Sequence, residues 1–197
     1  DRGSMIPHAL ACALITTDYA GGHECTGWQW IDGLNLDGCQ ATLWASRGQT
    51  GCVVTGSNDG WDWSRNLVFL PGYSMQGASG RFYHRGILAY SRQIYSWLKG
   101  KPIDWMTGHS LGGGICQIVG SSLLIPSYTI AAPKVLVPFQ SQPDGATFVR
   151  NAILPGDPVP WLVPGYQHIG AVCKLVPTSG WFGGRHGVAH YGAAETT

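Results

Sequence analysis

Gly108-His109-Ser110-Leu111-Gly112 fits G-x-S-x-G, the spelling of a tight turn that thrusts a serine out between a strand and a helix. A serine hydroxyl is a poor nucleophile near neutrality. It needs an imidazole within hydrogen-bond reach to take its proton, and a carboxylate to hold that imidazole in the right tautomer. In a chain with 29 Gly the pentapeptide alone is weak, so its context carries the argument. The apolar run Ile103-Asp104-Trp105-Met106-Thr107 predicts a strand before it, and apolar residues at helical spacing from Leu111 towards Pro126 predict a helix after it. Strand, turn and helix are the arrangement that exposes a nucleophile.

The nearest imidazole, His109, adjoins Ser110 in the turn, points away from its hydroxyl and is read as a packed, hydrogen-bonded histidine. The acid and the base are therefore sought downstream, in the chain order of α/β-hydrolases. Only Asp144, Asp157 and Glu195 follow Ser110 as carboxylates. Asp144 lies in the turn spelling Gln-Pro-Asp-Gly, and Glu195 is near the terminus. Asp157, in Leu154-Pro-Gly-Asp157-Pro-Val-Pro160, follows a predicted strand, at the end of a sheet where α/β sites assemble. His168 is expected to be structural. His186 and His190, four apart, both remain candidates for the base. The same spacing fits a metal pair, but Gly187 stands where H-E-x-x-H needs its glutamate and no third ligand is evident, so neither a metal nor a cofactor is expected.

Elements must bring these residues together. Ile6, Leu10, Ala13 and Leu14 predict a helix ending near Gly21-Gly22. The Gly22 to Gly51 stretch lacks a clean period and reads as loops with short strands. Cys52 to Thr55 and Leu67 to Leu70 predict strands, Ile87 to Leu98 a helix, and Ser127 to Ala131, Thr147 to Ile153 and Val172 to Val176 further strands. A short helix is expected around His186 to Ala194. Alternating strands and helices imply an α/β domain with a largely parallel sheet.

With 197 residues there is room for one substantial core, and a single domain is expected over 5–197. Asp1-Arg2-Gly3-Ser4 before Met5 reads as a cloning remnant, and the apolar stretch after Met5 lacks the basic start of a retained signal peptide. A formal net charge of +1 gives no electrostatic footprint for nucleic acid or an anionic membrane. No apolar run approaches the roughly 18 residues of a membrane-spanning helix. Charged residues make up only 12% of the chain and there are 9 Trp, a surface suited to apolar ligands. The six cysteines include no C-x-x-C pair, and Cys116 falls in an apolar helical segment where a buried free thiol is expected.

Between Cys52 and Tyr191 the sequence resembles the class 3 lipase family, which contains fungal triacylglycerol lipases, feruloyl esterases and related phospholipases. Thr107-Gly-His-Ser-Leu-Gly-Gly113 is similar to its nucleophile tract, and Val53-Val-Thr-Gly-Ser57 with Asp62-Trp63-Ser-Arg-Asn-Leu67 to its oxyanion-loop tract. His84-Arg-Gly86, Ala132-Pro-Lys-Val135, and Asp157-Pro-Val-Pro160 with Gly165-Tyr-Gln-His-Ile-Gly170 resemble further tracts in the family's order. The resemblance implies an α/β-hydrolase fold and a serine hydrolase of carboxylic esters, with Ser110, Asp157 and His186 catalytic. His186-Gly-Val-Ala-His-Tyr191 resembles the H-S-x-x-x-Y spelling, which favours His186 over His190. It also implies an oxyanion hole at the main-chain N–H groups of Ser57 and Leu111, and a lid over Asn58 to Asn66 in which Trp61 faces lipid or acyl chain and Trp63 either does the same or anchors the loop. The implied partners are small-molecule or lipid esters, with at most transient contact with a lipid interface. Phospholipid hydrolysis, acyl transfer and a catalytically silent lipid-binding protein are the alternatives.

Overall fold

The computed structural model describes residues 4–56, 74–177 and 186–194. After helix α1 (His8–Tyr19) come strands β1 (Glu24–Cys25), β2 (Trp28–Leu36), β3 (Cys39–Ser46) and β4 (Gln49–Gly56). A two-stranded unit, β5 (Ser74–Gln76) and β6 (Phe82–His84), leads into helix α2 (Arg85–Leu98). Then follow β7 (Trp105–His109), helix α3 (Leu111–Leu123), β8 (Ser127–Ile130), β9 (Val149–Ile153), β10 (Ala171–Lys174) and the short helix α4 (Val188–Gly192).

Eight strands form one sheet in the order β1-β2-β3-β4-β7-β8-β9-β10. It is antiparallel from β1 to β4 and parallel from β4 to β10, so β4, β7, β8 and β9 end together at Gly56, His109, Ile130 and Ile153. Neighbouring residues of one strand face opposite sides of the sheet. Cys52, Val54 and Met106 accordingly pack with Ile87, Ile94 and Ile115 of α2 and α3, whereas Val53 and Trp105 pack with Leu14, Ile15 and Tyr191 of α1 and α4. Helices thus cover both faces of a mostly parallel sheet, the expected layering. Each fully buried aliphatic side chain contributes about 1.5–3 kcal/mol by leaving water, which anchors the parallel strands whose ends carry the site.

The stretch from Gly22 to Gly51 differs from its sequence reading. It is an antiparallel meander with two strands of eight or more residues. Two causes hid it. A register shift between Trp30 and Asp32 breaks the alternation of β2, most of which is exposed. The flanking turns Thr26-Gly27 and Arg47-Gly48 hold both residues at positive φ (45° and 82°; 47° and 79°), the conformation of two-residue hairpin loops, without the Asn-Gly or Asp-Gly spelling that announces it; the turn between β2 and β3, Asp37-Gly38, does carry that spelling. The terminal helix is shorter than expected, and the predicted strand at Leu67 to Leu70 lies outside the described residues.

Candidate active site

Ser110 occupies the turn between β7 and α3 with φ 58° and ψ −123°, a left-handed backbone that L-residues adopt at a cost of about 1–3 kcal/mol. Close packing sustains it. A Cβ on Gly112 would lie 2.0 Å from the main-chain oxygen of Val54 in β4, and one on Gly108 would lie 2.6 Å from the Gly112 backbone, so only glycines let strand and helix meet this closely. The Ser110 N–H donates to the carbonyl of Ile130 at 3.0 Å, which ties the turn to the end of β8. Leu111 opens α3, where an N–H has no acceptor within its own helix and stands at the positive end of the helix dipole.

Asp157 comes from the turn after β9. Leu154-Pro155-Gly156-Asp157 closes through the Asp157 N–H donating to the Leu154 carbonyl at 3.1 Å, and Gly156 at φ 90° supplies the positive φ that a Pro-Gly turn requires. The carboxylate is buried and carries a full set of donors. Val159 N–H reaches Oδ1 at 2.9 Å, the Tyr191 hydroxyl reaches Oδ2 at 2.6 Å, and His186 Nδ1 lies 3.1 Å from both oxygens. Because a carboxylate only accepts, Nδ1 of His186 carries the proton and Nε2 is left to accept. It faces Ser110 Oγ at 2.8 Å. A hydroxyl, an imidazole and a carboxylate are thereby linked in the order that moves a proton off Ser110 and stabilises the imidazolium that forms.

The structure brings Ser110, Asp157 and His186 together from three separate loops, with Leu111 beside the serine. The other histidines stand elsewhere. His190 is exposed on α4, and His168 is bonded through Nε2 to the Ala132 carbonyl at 2.9 Å, burial lowering its pKa. His109 turns away from Ser110: Nε2 is 2.8 Å from the main-chain oxygen of His186 and Nδ1 is 2.9 Å from the Tyr19 hydroxyl. Asp144 is exposed at the start of a 3-10 turn. Ser57, Trp61, Trp63 and Glu195 lie outside the described residues. Among the described residues, no group of three or more side chains is arranged to hold a metal ion, and no helix is long and apolar enough to cross a membrane.

Three residues of the site were not given a role from the sequence. Tyr191 is buried, donates to Asp157 and accepts the Leu154 N–H at 3.1 Å; desolvation and the adjacent carboxylate push its phenol well above the usual range. The sequence signal was the tyrosine five positions after His186. Asp18 and Tyr19, at the end of α1, carried no signal. The buried Asp18 carboxylate accepts from Thr42 (2.6 Å), Thr55 (2.7 Å) and Gln40 (3.0 Å), with its pKa raised by burial.

The sheet order, the covering helices and the strained serine turn define the α/β-hydrolase fold, and solved structures of fungal lipases superpose on this chain. A lipase of Yarrowia lipolytica matches with a TM-score of 0.64 over 95% of this chain and 85% of its own, at 16% identity. A Rhizomucor miehei lipase, solved with its propeptide, matches with a TM-score of 0.60 over 85% of this chain and 67% of its own, at 18% identity. A triacylglycerol lipase from Penicillium expansum matches with a TM-score of 0.56 over 98% of this chain and 85% of its own, at 12% identity. No family model matches the sequence, and no curated protein does. The likeness to class 3 lipases read from the motifs is thus matched at the level of the fold.

Proposed function

We propose that this protein is a serine carboxylic ester hydrolase of the lipase and esterase type, acting through an acyl-enzyme on esters with apolar acyl or aryl groups. The observation that carries the reading is the hydrogen-bonded chain from Ser110 Oγ through His186 to the buried Asp157, built on a left-handed serine turn. In the mechanism, Ser110 Oγ attacks the ester carbonyl as its proton passes to Nε2 of His186, and Asp157 stabilises the resulting imidazolium. The negative charge on the tetrahedral oxygen is met by the Leu111 N–H at the start of α3, an interaction that strengthens as charge develops. His186 then protonates the departing alcohol, leaving the acyl group on Ser110. Water, deprotonated by the same imidazole, attacks the acyl-enzyme and releases the acid.

No cofactor takes part in this scheme. The apolar preference is supported by exposed aromatic rings: Phe139 and Trp161 lie on the segments that follow β8 and β9, the end of the sheet that also carries Ser110. They suit transient contact with a lipid interface.

The reading is tested with p-nitrophenyl esters from acetate to palmitate on wild type, Ser110→Ala, His186→Ala and His190→Ala. Ser110→Ala and His186→Ala should each lose about 10⁴-fold or more in kcat, with His190→Ala close to wild type. The chain-length profile separates esterase from lipase, and phospholipid or acyl-transfer assays distinguish the alternatives that use the same residues. A wild type inactive on every ester, or a fully active Ser110→Ala, overturns the hydrolase reading in favour of a silent lipid-binding protein.

A further inference from the structure

His109 stands between the nucleophile and the base without touching the reacting hydroxyl. Its Nε2 meets the main-chain oxygen of His186 at 2.8 Å, and its ring lies 4.8 Å from the His186 ring, tilted by 32°. A carbonyl oxygen can only accept, so the proton of a neutral His109 is on Nε2 and its Nδ1 is an acceptor. Nδ1 is 2.9 Å from the Tyr19 hydroxyl, which donates to it. The Tyr19 oxygen in turn receives a backbone hydrogen bond from Gly56, at the end of β4. Tyr19 is itself held firmly, because its neighbour Asp18 is bonded to side chains of β3 and β4. One line of contacts therefore runs from the end of α1, past the end of β4, to the main chain of the base.

We infer that Tyr19 and His109 are a positioning pair for His186: the His186 carbonyl fixes the Nε2–H tautomer of a neutral His109, whose ring holds that carbonyl and one face of the His186 ring, and the Tyr19 hydroxyl anchors the imidazole through Nδ1. The inference rests on the hydrolase reading for its kinetic consequence, although the tautomer itself does not.

A neutral His109 also suits the chemistry. Once His186 becomes an imidazolium, a second cation against its ring would oppose it. The groups facing His109 are Tyr19 from α1, with Asp18 behind it, His186 on its stacked side, and Asp157 beyond His186. Burial first, and then His186, hold the His109 pKa down at about 4.

The test combines kinetics with imidazole ¹⁵N NMR on the intact protein. His109→Phe keeps a flat ring and removes both hydrogen bonds, whereas His109→Gln returns a side-chain N–H at about the reach of Nε2. Loosening the base should lower kcat of His109→Phe by about 10- to 100-fold with KM within about twofold, because misplacement acts on the reacting geometry. His109→Gln should recover to within about threefold of wild type, and Tyr19→Phe should fall between the two. The ¹⁵N spectrum of wild type at pH 7 should show His109 as the Nε2–H tautomer with Nδ1 shifted as a hydrogen-bonded acceptor, and Tyr19→Phe should move the Nδ1 resonance towards that of an unbonded imidazole nitrogen.

An Nδ1–H tautomer, wild-type kcat in His109→Phe, or equal losses in the Phe and Gln variants would overturn the inference. If His109→Phe does not fold, Tyr19→Phe decides: unchanged kcat and an unchanged Nδ1 resonance overturn it. If wild type hydrolyses no ester, the hydrolase reading fails and the NMR result still decides the tautomer.

Discussion

Removing the hydroxyl of Tyr191 isolates the support beneath Asp157. In Tyr191→Phe, Asp157 Oδ2 loses a 2.6 Å donor, and the Leu154 N–H loses its 3.1 Å acceptor. A hydrogen bond to a charged group contributes about 1.5–3 kcal/mol, and a buried N–H left without a partner costs about 1–3 kcal/mol. Some of this is recovered as the turn relaxes, because Val159 and His186 still donate to the carboxylate. A net loss of about 2–4 kcal/mol is expected, which lowers Tm by roughly 5–15 °C in a chain of this size. With Asp157 freer to turn, kcat on p-nitrophenyl butyrate should fall about tenfold while KM moves by less than about twofold. Urea unfolding of Tyr191→Phe, Asp157→Asn and the double variant supplies the control. Once Asp157 is neutral, the tyrosine should count for less, with a coupling of about 1–2 kcal/mol. A Tyr191→Phe variant within about 0.5 kcal/mol of wild type and with wild-type kcat would refute the reasoning.

Gly112→Ala puts a methyl 2.0 Å from the Val54 oxygen, and either the elbow or the end of β4 must move; a loss of at least about 3 kcal/mol and of esterase activity is expected, measured by urea unfolding and turnover. A soluble variant with wild-type Tm would contradict the packing. His109, with a pKa of about 4 when folded, refuses a proton that the unfolded chain accepts below about 6.5, so its neutral form supports folding above that pH and the support drains away as pH falls towards 4. The loss amounts to about 3 kcal/mol, and the stability gap between wild type and His109→Gln should shift against wild type from pH 7 to pH 4.5 by most of that amount. Of the six thiols only Cys173 is exposed, the rest being buried and free, with burial pushing Cys12 and Cys39 up to about 12. Ellman's reagent should titrate one thiol rapidly in the native protein and all six after unfolding; the absence of free thiols after unfolding would show disulfides instead.

Local chemistry wrote several features directly into the sequence. The glycines flanking Ser110 announce the elbow because only they permit the approach of α3 to β4, and Pro155-Gly156 announces the turn that delivers Asp157 because Pro sets one φ and Gly supplies the other. The helix α2 was legible because it buries one periodic face, and α3, β7 and β8, buried on all sides, because they read as apolar runs bounded by turn residues. The β2–β3 meander was not, since its exposed strand alternates poorly and its outer turns use Thr-Gly and Arg-Gly, although Asp37-Gly38 between β2 and β3 does carry a hairpin spelling.

Spacing alone left His186 and His190 open, and only the resemblance of His186-Gly-Val-Ala-His-Tyr191 to a family spelling favoured His186. Residues four apart on a short segment are equivalent until packing decides which ring is buried against Asp157 and which faces water. The same holds for α1, read only as a helix, whose last two residues reach the ends of the strands that carry the site. No period or spacing in one segment encodes a partner 90 residues away, as Tyr19 is from His109. Such pairings exist only once the sheet has set the strand ends side by side, because a hydrogen bond depends on distance in space and not on separation along the chain.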